Sequence, residues 1–476
     1  MKKFLVPLFF VTPFLLHAQI GIDTLKGSGP SVPISEFGAK ADGVTDDYPA
    51  FLKAAKAGAK IILLEAKTYL LDNNAGERLD RMVILKNTYI VGQAGTVIKF
   101  TYSGLPLFTF LNSDYAGIAC VKFLYAGKTQ ESADYAFPRF QEKLGLKTRV
   151  VSGPAEYSGP VFSYNASNAL FRDLVFESEK PGDLAHAIGV CIDVKGDEDN
   201  DKTVSGLKVL NVAFNDCNMG MLISAQRDFS ITEVSSRRRF GNKYFAPGHI
   251  LYFTGGYSAK TVNSKGYIAK LTDYGEPITM FENLAPLACK FVENCLFEDI
   301  TSYHPNGICQ GFMSFNNNVM RRVTWINKSN YTPETPIMDF TIHNSTVSTV
   351  KNNLFEDITI ESDSAFVRIS NSSKLSDGFS GNKFIGFRIK LNPNFNKGQK
   401  NRSAVFDIHG HDNTIDATIE LTEAPDAVNY NTAVAFRSGT GNNTADVKTT
   451  GAFKGNKNFT REVGSVGMKN KFRFKD

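Results

Sequence analysis

Tryptophan, cysteine and histidine are scarce in this 476-residue chain, with one, six and seven residues respectively. No two cysteines are spaced as CxxC, so their pattern matches no metal motif. We expect them to be small buried residues, with one disulfide within the segment from Cys289 to Cys309 as the alternative. The sequence also has no phosphate-binding loop, dinucleotide fingerprint or serine-centred elbow. The net charge is only +5, which does not indicate a nucleic-acid partner.

Long apolar runs are missing too, except in residues 1–18, MKKFLVPLFFVTPFLLHA. Two lysines precede this run, Pro7 and Pro13 interrupt it, and a small residue ends it. These features are typical of a secretory signal peptide, cleaved after Ala18. A membrane anchor would be longer and unbroken. We therefore expect a secreted or periplasmic protein without membrane insertion.

Phenylalanine, by contrast, is abundant, with 38 residues. Short apolar segments recur between Asn, Gly, Asp and Ser, as in VKNNLFEDITIES (350–362), GNKFIGFRIKL (381–391) and DNTIDATIEL (412–421). A period of about thirty residues indicates a solenoid. The segments are too short for helices and rich in β-branched and aromatic residues, which favours strands. Asn and Gly suit the left-handed corners between them. Alternate strand residues should point into the coil.

Residues 34–71 have a different organisation, beginning ISEFGAKADGVTDD. We predict a short strand over Ile34–Phe37, a turn over 38–43, and a helix from about Tyr48 to Ala57 with Asp46 and Asp47 at its start. Two strands, 61–64 and 69–71, should follow. The FGAKADGVTDD stretch resembles the N-terminal cap of the pectate-lyase-like right-handed parallel β-helix superfamily. Glu65-Ala66-Lys67 stands where that superfamily has a PxG sequence.

This resemblance implies an all-β protein, a single-stranded right-handed parallel β-helix with an N-terminal helical cap. The expected organisation is a signal peptide (1–18), a lead-in (19–33), the cap (34–71) and the β-helix (72–460), followed by a basic C-terminal tail (461–476). Two segments break the rhythm of the strands, at about 125–157 and 235–286, and are expected to be loop excursions. Loops on a rigid scaffold often carry function.

The second excursion holds most of the candidate chemistry, because no acidic residue occurs between Glu233 and Asp273. Its cations and tyrosines could form a groove for an anionic sugar chain. The predicted substrate-binding residues are Arg237, Arg238, Lys243, Tyr244, Tyr267 and Lys270.

A uronate-containing polysaccharide can be cleaved by β-elimination, which needs a group that neutralises the C5 carboxylate, a base and an acid. We assign these roles to Arg239, His249 and Tyr252 in that order. His249 and Tyr252 are three residues apart and would face opposite sides of a regular strand. They can reach one groove only if Pro247-Gly248 keeps His249 in a turn. The leading hypothesis is a secreted polysaccharide lyase acting on an acidic glycan.

Two alternatives remain at this point. A polygalacturonase-like glycoside hydrolase needs paired carboxylates, and the candidates are Asp193, Asp197, Glu198, Asp199 and Asp201. That resemblance extends to the RIK sequence at 388–390, but the NTD and DD motifs are missing. The other alternative is a non-catalytic glycan-binding or surface protein. No metal ligands or certain cofactor are predicted, although the acidic run leaves calcium open. The sequence does not indicate the oligomeric state.

Overall fold

The computed structural model describes a large part of the chain, with gaps. The described residues are 25, 29–72, 82–101, 105–127, 136–146, 159–181, 188–237, 249–255, 261–274, 285–303, 307–327, 336–340, 349–362, 367–371, 378–391, 404–421, 433–437, 441–451 and 469–475. The expected signal peptide therefore lies outside the described residues.

Almost all of the regular structure is β-strand, in two sheets named A and B. Sheet A contains β1 (Ser31–Pro33), β2 (Asp42–Asp46), β3 (Ile61–Leu63), β4 (Thr68–Leu71), β6 (Tyr89–Val91), β7 (Val97–Phe100), β9 (Ala116–Tyr125), β11 (Ala169–Ser178), β14 (Lys208–Asn215), β17 (Ser230–Arg237), β20 (Tyr267–Asp273), β22 (Leu296–Ser302), β24 (Val319–Asn327), β27 (Leu354–Ser362), β30 (Lys383–Leu391), β32 (Thr414–Leu421), β34 (Thr444–Gly451) and β35 (Lys471–Lys475).

Sheet B contains β5 (Val83–Leu85), β8 (Phe108–Ser113), β10 (Val161–Ala166), β12 (Ile188–Lys195), β13 (Val204–Ser205), β15 (Cys217–Ser224), β16 (Gln226–Arg227), β18 (Leu251–Thr254), β19 (Asn263–Ser264), β21 (Leu287–Glu293), β23 (Cys309–Asn316), β25 (Met338–Phe340), β26 (Thr349–Lys351), β28 (Ile369–Asn371), β29 (Phe379–Ser380), β31 (Phe406–Ile408) and β33 (Val434–Phe436). The helices are α1 (Tyr48–Lys56) and α2 (Ala136–Lys143), with 3-10 turns at Ile34–Phe37 and Glu198–Asn200.

The strands form a parallel β-helix, because each strand pairs in parallel with the equivalent strand of the next coil. Thus β24 pairs with β27 and β27 with β30 in sheet A, while β25 pairs with β28 and β28 with β31 in sheet B. The structure is 64% strand and 7% helix, which confirms the predicted all-β solenoid.

Stacked side chains fill the interior of the coils. Equivalent phenylalanines of successive coils lie face to face, as in Phe123–Phe176 (4.8 Å between ring centroids) and Phe355–Phe384 (4.9 Å). All six cysteines are free thiols, and five of them are buried. This agrees with the expectation of small buried residues and excludes the alternative disulfide.

A left-handed residue bends every sheet A strand from β9 to β30 in its middle and interrupts the predicted alternation. In β27, Phe355, Ile358 and Ile360 are buried, with Asp357 between them at φ 52°. A residue with positive φ turns the chain, so successive inward residues are three positions apart across the bend and two positions apart beyond it. The outer edge of this bend carries charged side chains.

A column of buried asparagines marks the corner where sheet B passes into sheet A. Its members are Asn318, Asn353, Asn382, Asn413, Asn443 and the half-buried Asn470. The side-chain oxygen of Asn318 accepts the Cys295 N–H, and that of each later member accepts the backbone N–H and the side-chain amide of the asparagine one coil before, at 2.9–3.1 Å. Residues with positive φ precede the first five, as the sequence predicted for corners. We name this column the asparagine ladder.

The N-terminal cap contains the predicted helix, α1, which buries Tyr48 and Phe51 against the first coil. The prediction of a strand over Ile34–Phe37 was wrong, because this segment is a 3-10 turn that ends at Gly38 with φ 94°. Asp46 accepts the Tyr48 N–H at 3.1 Å. Asp47, at the start of the helix, instead accepts the N–H groups of residues 40 and 41 and fastens the preceding turn.

Both ends of the solenoid extend beyond the predicted boundaries. In the lead-in segment, β1 pairs with β3, and in the expected basic tail β35 pairs with β34. Within the excursion at 125–157, the described residues are 125–127 and 136–146, and the second range contains the helix α2. Its Phe140 packs edge to face on Phe162 of β10, at 5.4 Å between centroids, and covers the outer face of sheet B there.

Candidate functional site on the outer face of sheet B

An outward-facing row of residues runs along sheet B from coil to coil. In register, Tyr252 pairs with Ala288, Ala288 with Gln310, Gln310 with Asp339, Asp339 with Ser370, and Ser370 with Asp407. Their strand neighbours, such as Leu251 and Phe253, lie in the core, so this row points away from it. We name these six residues the outer ladder. Most of them are polar, whereas the residues on the opposite face of the sheet lie in the core.

Three side chains that can transfer a proton or stabilise negative charge meet at one end of the outer ladder. The Lys290 ammonium donates a hydrogen bond to the Tyr252 hydroxyl and lies 4.9 Å from the centre of its ring. The His249 ring stands edge-on to the same tyrosine, with 5.3 Å between centroids. Tyr252 and Lys290 are half-buried, and His249 is 5% exposed. His249 lies two residues before β18 and its ring contacts Tyr252, whereas Pro247-Gly248, on which the predicted turn depends, lies outside the described residues.

A backbone contact fixes the orientation of the His249 ring. Its Nδ1 lies 2.6 Å from the Ala285 carbonyl oxygen. A carbonyl can only accept, so Nδ1 carries the proton and, in the neutral imidazole, Nε2 carries the lone pair. This tautomer has its basic nitrogen on the side of the ring away from Ala285.

Two carboxylates occupy the other end of the outer ladder. Asp339 and Asp407 are separated by two strand spacings, which places their Cα atoms about 9.5 Å apart. Both are 7% exposed. Arg437 binds Asp407 through two hydrogen bonds of 2.6 and 2.8 Å, an arrangement that favours the ionised carboxylate. Burial lowers the pKa of the neighbouring His409, and Asp407 opposes this effect.

The predicted substrate-binding residues do not all lie at this site. Arg237 ends β17 and is exposed. Tyr267 and Lys270 lie on the outer face of sheet A, where the Tyr267 hydroxyl donates to Glu298 at 2.7 Å and the Lys270 ammonium to Glu233 at 2.9 Å. These contacts raise the pKa of both side chains. Arg238, Lys243 and Tyr244, and the predicted carboxylate-neutralising Arg239, lie outside the described residues.

The acidic run proposed for a hydrolase is divided by the fold. Asp193 lies two coils before Tyr252 in the same row, fully buried and 3.7 Å from the buried Lys195. Glu198 is buried and accepts a hydrogen bond from Ser224. Asp199 lies in the same 3-10 turn as Glu198, and Asp197 and Asp201 flank that turn. Among the described residues, no group of three or more His, Cys, Asp or Glu side chains could hold a metal ion.

Sequence reasoning missed Lys290, Asp339 and Asp407. Lys290 stands in the largely apolar strand LACKFVE, and its partner Tyr252 is 38 residues away, so no local pattern indicates their contact. Each aspartate interrupts an apolar triplet, MDF at 338–340 and FDI at 406–408. A central acid in repeated three-residue strands was the signal that could have identified them.

Comparison with known proteins gives no match to a family model and none to a curated protein. Among solved structures, the tailspike gp61 of Pseudomonas phage phi297 is similar, with a TM-score of 0.55 and 10% identity over 89% of this chain and 81% of that chain. An exopolygalacturonase from Thermotoga maritima has a TM-score of 0.44 and 12% identity, covering 83% and 88%. A mannuronan C-5 epimerase A-module from Azotobacter vinelandii has a TM-score of 0.42 and 11% identity, covering 93% and 99%.

These identities are too low to transfer an activity, and only the tailspike has a TM-score that supports an argument, which concerns the fold. That likeness extends over most of both chains and agrees with the parallel register of the coils. No helix of the described residues is long and apolar enough to cross a membrane. The chain therefore folds as a right-handed parallel β-helix, the fold that the resemblance of its cap sequence implies.

Proposed function

We propose that this protein is a secreted polysaccharide lyase that cleaves an acidic, uronate-containing glycan by β-elimination on the outer face of sheet B. The observation that carries the proposal is the contact of Lys290, Tyr252 and His249 at one end of the outer ladder. An ammonium, a phenol and an imidazole are the side-chain types that this reaction needs, and they lie beside each other on adjacent coils.

Each of the three groups has a role that its geometry supports. The Lys290 ammonium neutralises the substrate carboxylate, which makes the C5 proton more acidic, and it also stabilises negative charge on the Tyr252 oxygen. His249 takes the C5 proton on Nε2. Tyr252 gives its proton to the glycosidic O4 as the C4–O4 bond breaks and the C4–C5 double bond forms. Solvent then reprotonates the tyrosine and removes the proton from the imidazole.

In this proposal Lys290 takes the role first given to Arg239. Arg237 to Arg239, Lys243 and Tyr244 belong to the segment that leads from β17 to His249, and we propose that they bind more distant units of the chain. Such contacts are electrostatic, so the affinity for substrate should fall as salt increases.

The test is to incubate the purified protein with a panel of uronate polysaccharides and to record absorbance of the unsaturated product. Tyr252→Phe and His249→Gln should each lower the rate on the productive substrate by about 10²–10⁴, the usual contribution of an acid or base. Tyr267→Phe is the matched control, because it removes a hydroxyl from the outer face of sheet A. Variants that fold and keep normal activity would remove the assignment.

A second candidate, a glycoside hydrolase, is favoured by the pair Asp339 and Asp407. Inverting glycosidases place two carboxyl groups about 6.5–9.5 Å apart, and the two-coil spacing brings this pair close to that range. Asp407, held ionised by Arg437, would activate water, and Asp339 would protonate the leaving oxygen. Reducing ends formed without the unsaturated product, and abolished by Asp339→Asn, would support this candidate. Binding without either product would indicate a glycan-binding protein.

A further inference from the structure

A cationic cleft lies at a different corner of the solenoid, where the second segment of sheet B turns toward sheet A. It has a volume of about 540 Å³, within the range of about 300–1,000 Å³ that is typical of ligand sites. Its lining residues are Asp201, Lys202, Thr203, Arg227, Thr261, Val262, Ser264, Lys265 and Asn294. Three cations and one carboxylate therefore surround it, together with three hydroxyl groups and one amide.

The register of the coils explains why these cations meet. Arg227 of β16 pairs with Ser264 of β19, so the residues after them, Asp228 and Lys265, follow each other in the corner column. Both have positive φ, 50° and 54°, and point outward at the bend. Lys202 reaches the same corner because it pairs back with Asp197 across the turn that precedes β13. Cations distant in sequence are thus held on a rigid backbone.

The carboxylates nearby only partly balance the cleft, since Asp201 and Asp228 are two acids against its three cations. Arg227 lies 3.5 Å from Asp228, but their side chains are 50% and 55% exposed, and an ion pair that faces water contributes little. Arg227 can therefore exchange this partner for a ligand anion. Lys202 and Lys265 are exposed as well.

We propose that this cleft is a second glycan-binding site, which takes a sugar unit carrying a carboxylate or sulfate group. The cations bind the anionic group, and Thr203, Ser264 and Asn294 offer hydrogen-bonding partners for sugar hydroxyls. The cleft spans four coils, from the coil two before that of Tyr252 to the coil after it, one corner further along. A chain bound there would be retained beside the outer face of sheet B without taking part in the reaction. The proposal concerns binding alone and does not depend on the lyase assignment.

Calorimetric titration of the full-length protein tests the proposal, with oligosaccharides of equal length that are sulfated, uronate-containing or neutral. The Arg227→Ala/Lys265→Ala double variant should bind the anionic oligosaccharides at least tenfold more weakly. Lys383→Ala, with an exposed lysine several coils away, is the control and should bind like the unchanged protein. The double variant should still form the unsaturated product in the lyase assay, so failure of this proposal and failure of the lyase proposal can be distinguished.

Three results would overturn the inference. Unchanged affinity in the double variant would show that the cleft is not the site. An equal loss in Lys383→Ala would show that only the overall charge matters. Competition by inorganic sulfate at the same concentration as the oligosaccharide would show a simple anion site rather than a glycan site.

Discussion

Replacing Asn382 by alanine should strongly destabilise the protein, because this side chain is fully buried in the middle of the asparagine ladder. Its oxygen accepts the backbone N–H and the amide of Asn353 at 3.1 and 2.9 Å, and its own amide donates to the Val350 carbonyl at 2.9 Å. Alanine leaves the Asn353 N–H and the Val350 carbonyl without these partners. One unsatisfied buried group costs about 1–3 kcal/mol, so we expect a loss of about 4 kcal/mol for the two.

Urea unfolding followed by tryptophan fluorescence measures this loss, since Trp325 is the single tryptophan and is buried in β24 of the same solenoid. Asn352→Gly is the control. Asn352 is the exposed residue before Asn353 and has a φ of 56°, a conformation that glycine adopts without strain. The control should differ from the unchanged protein by less than about 0.5 kcal/mol. If Asn382→Ala costs no more than the control, the ladder does not hold the coils together.

Three further predictions concern ionisable groups. Hydrogen bonds from Tyr267 and the neighbouring arginines lower the pKa of Glu298 to about 2. The stabilisation that ionised Glu298 provides should be complete above its ordinary pKa of 4.5 and disappear as the pH falls toward about 2. The free energies of unfolding of Glu298→Gln and of the unchanged protein should therefore converge in acid, and a constant difference between them would contradict this. Burial raises the pKa of Cys309 to about 12, so a thiol reagent at mild alkaline pH should not label it in the folded protein and should label all six cysteines after denaturation. Asp47→Ala, which removes both N–H contacts that fasten the cap turn, should lower the free energy of unfolding by about 2–3 kcal/mol in urea titration.

The fold could be predicted from the sequence because each coil repeats the same local chemistry. The corner asparagines, the short β-branched strands and the cap sequence all indicate a parallel solenoid. The asparagine ladder itself was not predicted. In pairs such as Asn352-Asn353, one residue bends the chain and the other is buried. The residue types alone do not show which of the two has which structural role. Only the hydrogen bonds between coils do.

The strand predicted over Ile34–Phe37 shows where tertiary structure overrides a local pattern. Alternation of apolar and polar residues favoured a strand, but the adjacent Gly38 takes φ 94° and closes a 3-10 turn. Ile34 is buried within that turn and contributes to the core. A four-residue segment carries too little periodicity to separate these two conformations.

The candidate site was only partly accessible to sequence reasoning because a solenoid brings together residues that are about one coil apart. The stretch between Glu233 and Asp273 contains no acid, but neighbouring coils supply Glu233 to Lys270 and Glu298 to Tyr267. An acid-free segment is therefore not an acid-free surface. An anionic glycan on sheet A would compete with these internal carboxylates for the same donors.

Sheet B presents a different electrostatic surface around Tyr252. Along its row of outward residues, the nearest acids are Asp193, two coils before, and Asp339, three coils after. Asp193 is buried beside Lys195. Lys290, two residues after Ala288 on β21, adds positive charge beside this part of the row, which suits a negatively charged sugar unit. The carboxylates at the far end would repel the same chain, so an acidic substrate should be held near Tyr252 rather than near Asp407, and a neutral one would show no such preference.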